Sequence, residues 1–273
     1  ELFQNLLHRG ITPLWVLMTT AVDYHKRPEW SYSSMKKILE SGIDYAVAGK
    51  QGLIPGPQSA AIDLGQLTHM LILGGEDTFA ICEFDDYRTK AAREWRDEQI
   101  ANNKNIVTKA QWEAVKSIVE HIESHPHTKE YLTGGGFKHE VEMYAKAEGV
   151  DLRGKADALK ITDDSMIITD IKTTAQFDKF FKSASWNHYD LQAAVYTLVG
   201  SASQKISASR TNYYFCVVET VVPYRVQFFH AGLEFIEAGE RKLRKCIDAI
   251  KDFGDKTPNF LIADVPELGD FSL

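Results

Sequence analysis

The second half of the chain alternates apolar and polar residues in a way that predicts three consecutive strands. The alternation covers residues 137–147, 150–162 and 165–174. Two short turns, at Glu148-Gly149 and Asp163-Asp164, separate the three stretches. A period of two is typical of strands with one buried face, and tight turns between such strands predict an antiparallel meander. We therefore expect the three strands to lie side by side in chain order.

Most other segments carry the wider apolar spacing of helices. A serine pair, Ser33-Ser34, suits a helix start, and the Thr108 to Gln111 spacing is a capping-box pattern. Helices are predicted over 35–49, 60–74, 87–102, 108–123, 184–200 and 231–253, and two more strands over 210–219 and 222–230. The order is helices, three strands, helix, two strands, helix.

This order predicts an α/β fold with a mixed central sheet flanked by helices and a helical N-terminal part. We assign the whole chain, 1–273, to a single domain. Its parts are an N-terminal extension (1–30), a mainly helical part (31–136), the catalytic sheet and helices (137–253) and a C-terminal tail (254–273).

Composition narrows the class of protein only a little. The chain is 44% hydrophobic and 25% charged, as in ordinary globular proteins. It has no run of about 18 apolar residues, so we expect no membrane span. Its three cysteines, Cys82, Cys216 and Cys246, are too few and too far apart for an iron–sulfur cluster, and we expect buried thiols. A net charge of −7 argues against binding nucleic acid by bulk charge, but it leaves a local basic channel open.

The strongest chemical signal is Asp157 followed by Asp170 and Lys172. Asp170 and Lys172 are two apart on a predicted strand, so they project from one face. Antiparallel pairing through the Asp163-Asp164 turn brings Asp157 beside Asp170. Two carboxylates at one point repel each other unless a cation holds them, and oxygen ligands suit Mg²⁺ or Mn²⁺. Such a site hydrolyses phosphodiesters, with Lys172 orienting the attacking water. The simpler alternative is an ion pair on a solvated strand.

Each further candidate for the site is a weaker signal when it is taken alone. Glu140 and Glu142 share a strand face by period, so spacing does not decide which one reaches the site. His69 lies on an apolar helix and is either a packing residue or a nitrogen ligand. Gln192 and Tyr196 are four apart and share a helix face, which fits DNA contact or ordinary amphipathic surface.

Taken together, these residues resemble the PD-(D/E)xK nucleases, and within them the phage-type exonucleases related to exonuclease VIII (RecE) and the wider RecB-like group. The matches, in family order across residues 31–230, are His69, Glu140, Asp157, Asp170 with Lys172, and Gln192 with Tyr196. The serine-led helix at 31–48 and the Arg88-Thr89 pair also look like exonuclease VIII. Asp170 stands where glutamate is commoner, and the four cysteines of the iron–sulfur branch are missing.

The resemblance implies roles for these positions. The catalytic residues would be Asp157, Asp170 and Lys172. The metal ligands would be His69, Glu140, Asp157, Asp170 and the Ile171 carbonyl, and the DNA-binding residues would be Gln192, Tyr196, Arg88 and Thr89. On residues alone, Arg88 belongs to a basic stripe that also fits a solvated, ion-paired helix face.

The resemblance further implies a Mg²⁺-dependent exonuclease that degrades double-stranded DNA ends 5′→3′ and leaves 3′ single strands for recombination by annealing. It implies a ring-shaped homo-oligomer, a single-strand annealing protein as partner, and the cytoplasm of a bacterial or phage-infected cell. Two alternatives remain open: an endonuclease with the same site, and a non-catalytic nucleic-acid-binding module.

Overall fold

The computed structural model describes residues 12–13, 24, 27–54, 64–73, 79–84, 86–102 and 104–260. Its helices are α1 (Tyr32–Ser41), α2 (Ile43–Lys50), α3 (Leu64–Ile72), α4 (Lys90–Ala101), α5 (Lys109–Ser124), α6 (Phe180–Trp186), α7 (Tyr189–Gln204) and α8 (Leu233–Phe253). Its strands are β1 (Thr12–Pro13), β2 (Phe79–Cys82), β3 (Asn105–Thr108), β4 (Phe137–Ala147), β5 (Val150–Ile161), β6 (Met166–Thr174), β7 (Thr211–Glu219) and β8 (Val226–His230). Among these residues, no helix is both long enough and apolar enough to cross a membrane.

Within the described chain, the main sheet has the strand order β1-β4-β5-β6-β7-β8. Strands β4, β5 and β6 form the predicted antiparallel meander, and β7 pairs with β8 antiparallel. Strand β7 instead runs parallel to β6, because helix α7 carries the chain back between them. The predicted mixed sheet flanked by helices is therefore confirmed.

The two faces of the sheet carry different cores. The larger core lies between the sheet and the α7 and α8 helices, and α7 is apolar nearly all round because it is covered on both sides. The smaller core packs Ile118 and Ile122 of α5 against Ala158, Ile171 and Cys216 of the sheet. All three cysteines are buried and unpaired, as expected.

Strand β5 changes the face of its side chains at Asp157. Leu152 and Ala156 belong to the α7-side core, whereas Ala158 belongs to the α5-side core. Residues 156 and 158 would share a face in a regular strand, so the pleat is interrupted between them. Opposite this point on β4, Glu140 has a left-handed backbone (φ +53°), which costs a non-glycine residue about 1 kcal/mol. The interruption coincides with two of the predicted metal ligands.

Helix α8 fixes the first turn of α7. Gly239 lies so close to α7 that a Cβ added there would be 1.9 Å from the carbonyl oxygen of Asp190. Three residues along α8, Lys242 Nζ donates to Asp190 Oδ1 at 2.8 Å and lies 3.0 Å from Nδ1 of His188. The contact and the ion pair together hold the end of α7 that faces the candidate site.

Some helix boundaries differ from the predictions. The N-cap of α1 is Ser31, whose side chain forms a capping box with Ser34, so the helix begins before the Ser33-Ser34 pair. The predicted single helix over 35–49 is two helices, because Gly42 adopts φ +87° and ends α1. The capping box of Thr108 and Gln111 is confirmed at the start of α5.

Other differences lie in short elements. The small parallel sheet of β2 and β3 was not predicted. The helix predicted over 184–200 is α7, which starts only at Tyr189, and the short α6 precedes it. Residues 60–63 of one predicted helix, most of the 1–30 extension and residues 261–273 of the tail lie outside the described residues. The assignment of the whole chain to a single domain stays a prediction.

Candidate metal and DNA site

Asp157 and Asp170 meet where the β5–β6 ladder ends. The last pair of that ladder is Ala158 with Thr169, so the next position in the register sets Asp157 opposite Asp170. Both side chains are buried, and the backbone N–H of Ile171 donates to Asp157 Oδ2 at 2.7 Å. The juxtaposition predicted from the turn between the strands is therefore present.

The charge of this pair is only partly balanced by its surroundings. Burial, and next the neighbouring carboxylate of Asp170, raise the pKa of Asp157 to about 8. Asp170 Oδ2 is buried 2.6 Å from Lys172 Nζ, so this one lysine offsets the charge of one carboxylate and not of both. A divalent cation would relieve both conditions, since it binds carboxylate oxygens and favours their charged form. The donor set therefore fits a hard metal ion.

Lys172 lies beside the two carboxylates as the strand period predicts. Its Nζ is 2.6 Å from Asp170 Oδ2 and 4.6 Å from the centre of the Tyr189 ring. Burial by itself would lower the pKa of Lys172, but Asp170 and Tyr189 outweigh it, so the pKa lies above its ordinary value. The lysine is held as a cation at the site.

Gln192 and Tyr196 of α7 lie directly behind the carboxylates. The buried amide of Gln192 donates to Asp170 Oδ1 at 2.5 Å. One turn later, the Tyr196 ring passes Gly154, where an added Cβ would be 3.1 Å from Tyr196 Cδ1. Burial and the charge of Asp170 raise the pKa of the Tyr196 phenol well above its usual range. The structure thus gives Gln192 a contact with a carboxylate, and DNA binding by this pair stays a prediction.

His69 reaches the site from α3. Its Nδ1 is 3.5 Å from Asp157 Oδ2, and its side chain is 33% exposed. The distance places a ring nitrogen of His69 beside the carboxylates. Ile171 is buried in the α5-side core between the site residues Asp170 and Lys172.

Glu140 is turned towards a lysine. It forms an ion pair with Lys155, and its side chain is 42% exposed. Glu142, the alternative by period, accepts a hydrogen bond from Tyr144 instead. In the described parts of the chain, no three His, Cys, Asp or Glu side chains converge closely enough to hold a metal ion. The ligand roles of Glu140 and His69 stay predictions.

Among the described residues, the contacts of Arg88 and Thr89 are local ones. Arg88 pairs with Asp86 at 2.8 Å, and the Thr89 hydroxyl caps α4 by accepting from Ala92 N–H. Two further cations of the stripe are paired in the same way, Lys90 with Glu94 and Arg96 with Asp97. This is the solvated, ion-paired face that the residues alone suggested, and DNA contact by Arg88 and Thr89 stays a prediction.

A cavity of about 740 Å³ opens beside Asp157 and was not predicted. Five cationic side chains line it: Arg27, Lys37, Lys50, Arg153 and Lys155. The start of α1 and Tyr196 form other parts of its wall. The sequence does hold a signal for it, because Arg153 and Lys155 are two apart on β5 and so share one face before the interruption at Asp157.

Arg153 has the environment of an anion-binding group. Its side chain is buried with the guanidinium 4.5 Å from the centre of the Tyr24 ring. Its Nε and Nη1 have no hydrogen-bond partner among the described residues. Nearby, burial and the charge of Arg153 lower the pKa of Lys50 to about 8. A phosphate in the cavity would satisfy these donors and reduce the repulsion between the cations.

Comparison with solved structures finds a similar fold. A solved structure from Eubacterium rectale, described as "Putative exonuclease", has a similar fold with a TM-score of 0.58 and 13% identity, over 93% of this chain and 97% of that one. The structure described as SSO0001 covers 84% of this chain and 88% of its own at 15% identity, but its TM-score of 0.28 carries no inference. A search of curated proteins gives no match.

A model of one protein family matches residues 31–258, a range that includes both carboxylates, Lys172 and the cations of the cavity except Arg27. That model describes a PDDEXK-like domain of unknown function, DUF3799. The chain therefore belongs to this family and, through it, to the PD-(D/E)xK nuclease superfamily.

Proposed function

We propose that this protein is a metal-dependent deoxyribonuclease that hydrolyses phosphodiester bonds at Asp157, Asp170 and Lys172. One observation carries the proposal: two buried carboxylates and a partly buried lysine converge beside a cavity lined by cations. A structural ion pair would need only one carboxylate for Lys172. The second carboxylate, with its pKa raised to about 8, destabilises the site unless a metal ion binds there.

Each side chain has a part in the reaction. Asp157 and Asp170 would hold the ion, with His69, Glu140 and the Ile171 carbonyl as further ligands. A bound Mg²⁺ or Mn²⁺ would supply Lewis acidity and a water of lowered pKa. Lys172 keeps its charge, so it can orient the attacking water and stabilise the negative charge that develops on the phosphate. Gln192 holds Asp170 in place through its 2.5 Å hydrogen bond.

The cavity favours a DNA end as substrate. Its five cations and the unsatisfied donors of Arg153 fit a phosphate, and Asp157 is part of its wall. A terminal phosphate held there would place the neighbouring phosphodiester at the carboxylates. We propose 5′→3′ digestion of duplex ends that leaves 3′ single strands. The polarity, a homo-oligomeric ring, a single-strand annealing partner and a cytoplasmic location rest on the resemblance to exonuclease VIII.

The first experiment is digestion of linear and covalently closed circular duplex DNA, with Mg²⁺ and with EDTA. We expect degradation of the linear form only, and none in EDTA. Cleavage of the closed circle would contradict the exonuclease proposal and support the endonuclease alternative. If neither form is cut with Mg²⁺ or Mn²⁺, the nuclease proposal fails in favour of a non-catalytic binding module.

A second experiment tests the role of the cavity. Linear duplexes with a 5′-phosphate, a 5′-hydroxyl or a 3′-phosphate are compared at their initial rates. A phosphate in the cavity predicts that the 5′-phosphate end is cut fastest, and that Arg153→Gln removes this preference. Equal rates on all three ends would contradict the end-binding role and leave the carboxylate site untouched.

A further inference from the structure

Two large aromatic side chains on α6 are exposed to an unusual degree. The side chain of Phe181 is 71% exposed and that of Trp186 is 68% exposed. Tryptophan is usually well buried on average, so a largely exposed indole marks a surface where something binds. The rest of the helix is anchored, because Phe180 and Ala184 are buried in the α7-side core. The exposed rings are therefore held on a fixed support.

The exposed face of α6 is also cationic. Lys182 Nζ lies 4.7 Å from the centre of the Trp186 ring, and Lys179 precedes the helix. The acidic residue of this segment, Asp178, is already engaged by the guanidinium of Arg225. A flat aromatic face with a lysine beside it is the combination that binds single-stranded nucleic acid, since the ring stacks on a base and the lysine meets a phosphate.

This face adjoins the candidate site. Asn187, the residue after Trp186, accepts a hydrogen bond from Tyr32 through its carbonyl, and Tyr32 is part of the cavity wall. Three residues after Trp186, the Tyr189 ring lies against Lys172 Nζ. Trp186 therefore comes directly before two residues in the chain, Asn187 and Tyr189, whose contacts reach the cavity wall and the catalytic lysine.

We propose that Trp186 stacks on an unpaired base of the DNA strand next to the candidate active site, while Lys182 contacts an adjacent phosphate. This inference rests on the proposed nuclease function, because it assigns the role of holding a separated strand during digestion. Stacking on an indole works for every base, so the contact would tolerate all sequences. A protein partner fits the same surface less well, because exposed lysines are depleted at the centre of protein interfaces.

The test compares two probes on a Lys172→Ala background with Mg²⁺, where cleavage does not interfere. One probe is a fluorescent oligothymidylate, and the other is an abasic strand of the same length. The variants are Trp186→Ala, Trp186→Phe and, as a matched control, Phe260→Ala, which removes another exposed aromatic (57% exposed). Trp186→Ala should weaken binding of oligothymidylate by about 5- to 100-fold, and Trp186→Phe should restore most of it.

The abasic probe separates stacking from charge. We expect Trp186→Ala and the parent protein to bind the abasic strand equally well. Lys182→Ala should instead weaken both probes and lower the slope of log affinity against log salt by about 0.7. An equal loss on both probes after Trp186→Ala, or no loss on either, would overturn the stacking proposal. So would a change of oligomeric mass in Trp186→Ala by light scattering, which would assign the surface to a protein contact.

The two proposals can fail separately. Base-dependent binding at Trp186 in a protein whose Lys172-intact form cuts no DNA would refute the nuclease proposal and leave the stacking contact in place. Normal digestion by the Lys172-intact protein, together with unchanged oligothymidylate binding in Trp186→Ala, would refute only the stacking contact.

Discussion

Gln192 on α7 donates a hydrogen bond to the buried carboxylate of Asp170 at 2.5 Å, although 22 positions separate the two residues along the chain. The bond fixes the orientation of a carboxylate whose other oxygen, Oδ2, lies 2.6 Å from Lys172 Nζ. Such supporting contacts decide how well a carboxylate is presented to a metal ion. Helix α7, which follows strand β6, is thus part of the candidate site.

Gln192→Ala should therefore lower metal affinity or turnover by about 10- to 100-fold without unfolding the protein. Titration with Mn²⁺ and separate measurement of kcat and KM would show which of the two changes. Gln204→Ala, at the far end of the same helix, is the control and should behave as wild type. Wild-type metal affinity and turnover in Gln192→Ala would show that the hydrogen bond serves packing alone.

Lys172→Ala should abolish cleavage and leave metal binding intact or stronger. The variant removes the cation 2.6 Å from Asp170 but keeps both carboxylates. Cleavage is measured on linear duplex DNA and metal binding by calorimetry. Lys116→Ala, which removes an exposed lysine paired with Glu113, is the matched control. Undiminished cleavage by the Lys172 variant would reject the assignment of the catalytic site.

Asp157 should make the metal-free protein less stable as pH rises from about 4 to about 8. Its pKa is raised from 3.8 to about 8 in the folded state, so over this window the folded protein binds more protons than the unfolded one. Thermal melting in EDTA at several pH values measures the effect, and Asp157→Asn should flatten this contribution. Mg²⁺ should raise the melting temperature most at the alkaline end. The same slope in both proteins would show that Asp157 is not the cause.

Two variants of Glu140 separate the strain of its left-handed backbone from the role of its carboxylate. Glu140→Gly suits the left-handed backbone and should leave stability unchanged or raise it by up to about 1 kcal/mol. Glu140→Gln keeps the strain and removes only the charge. If Glu140 is a ligand, both variants lose activity and metal affinity. Full activity in both variants would show that Glu140 is not a metal ligand and serves only in the ion pair with Lys155.

His69→Ala should cause a large loss of activity with little change in the free energy of unfolding. A third of the side chain is exposed, so its removal leaves no large cavity, while Asp157 loses a neighbour at 3.5 Å. Denaturant unfolding and digestion are measured on the same preparation. Destabilisation by several kcal/mol with normal turnover would instead identify a packing residue.

The central meander could be predicted because its physical cause is local. The period of two and the tight turns fix the register, and the register alone brings Asp157 to Asp170. The pair β2 and β3 could not be predicted in this way, since each strand has four residues and they are joined through a helix. The helical spacing predicts one helix through Gly42, because a helix tolerates a single glycine. Only the backbone conformation of Gly42 shows that the helix ends at this residue.

The candidate site also has a part that local sequence pattern predicts and a part that depends on tertiary packing. Lys172 and the carboxylates follow from strand period, but the distance from His69 to Asp157 depends on how α3 packs, which no spacing encodes. The cavity depends on tertiary packing too, because Arg153 and Lys50 come from separate elements. The resemblance implies that Gln192 contacts DNA, and only the fold shows that its amide donates to Asp170.

Gly239 lies on α8 and has no polar side chain, yet it lets α8 approach the turn of α7 that carries Gln192. Any side chain there would meet the Asp190 carbonyl and push away the turn of α7 that carries Gln192. Inactive alleles with an intact set of carboxylates should therefore accumulate at this position. A survey of active-site residues that considers only polar side chains would pass over it, because its contribution is the absence of a single carbon atom.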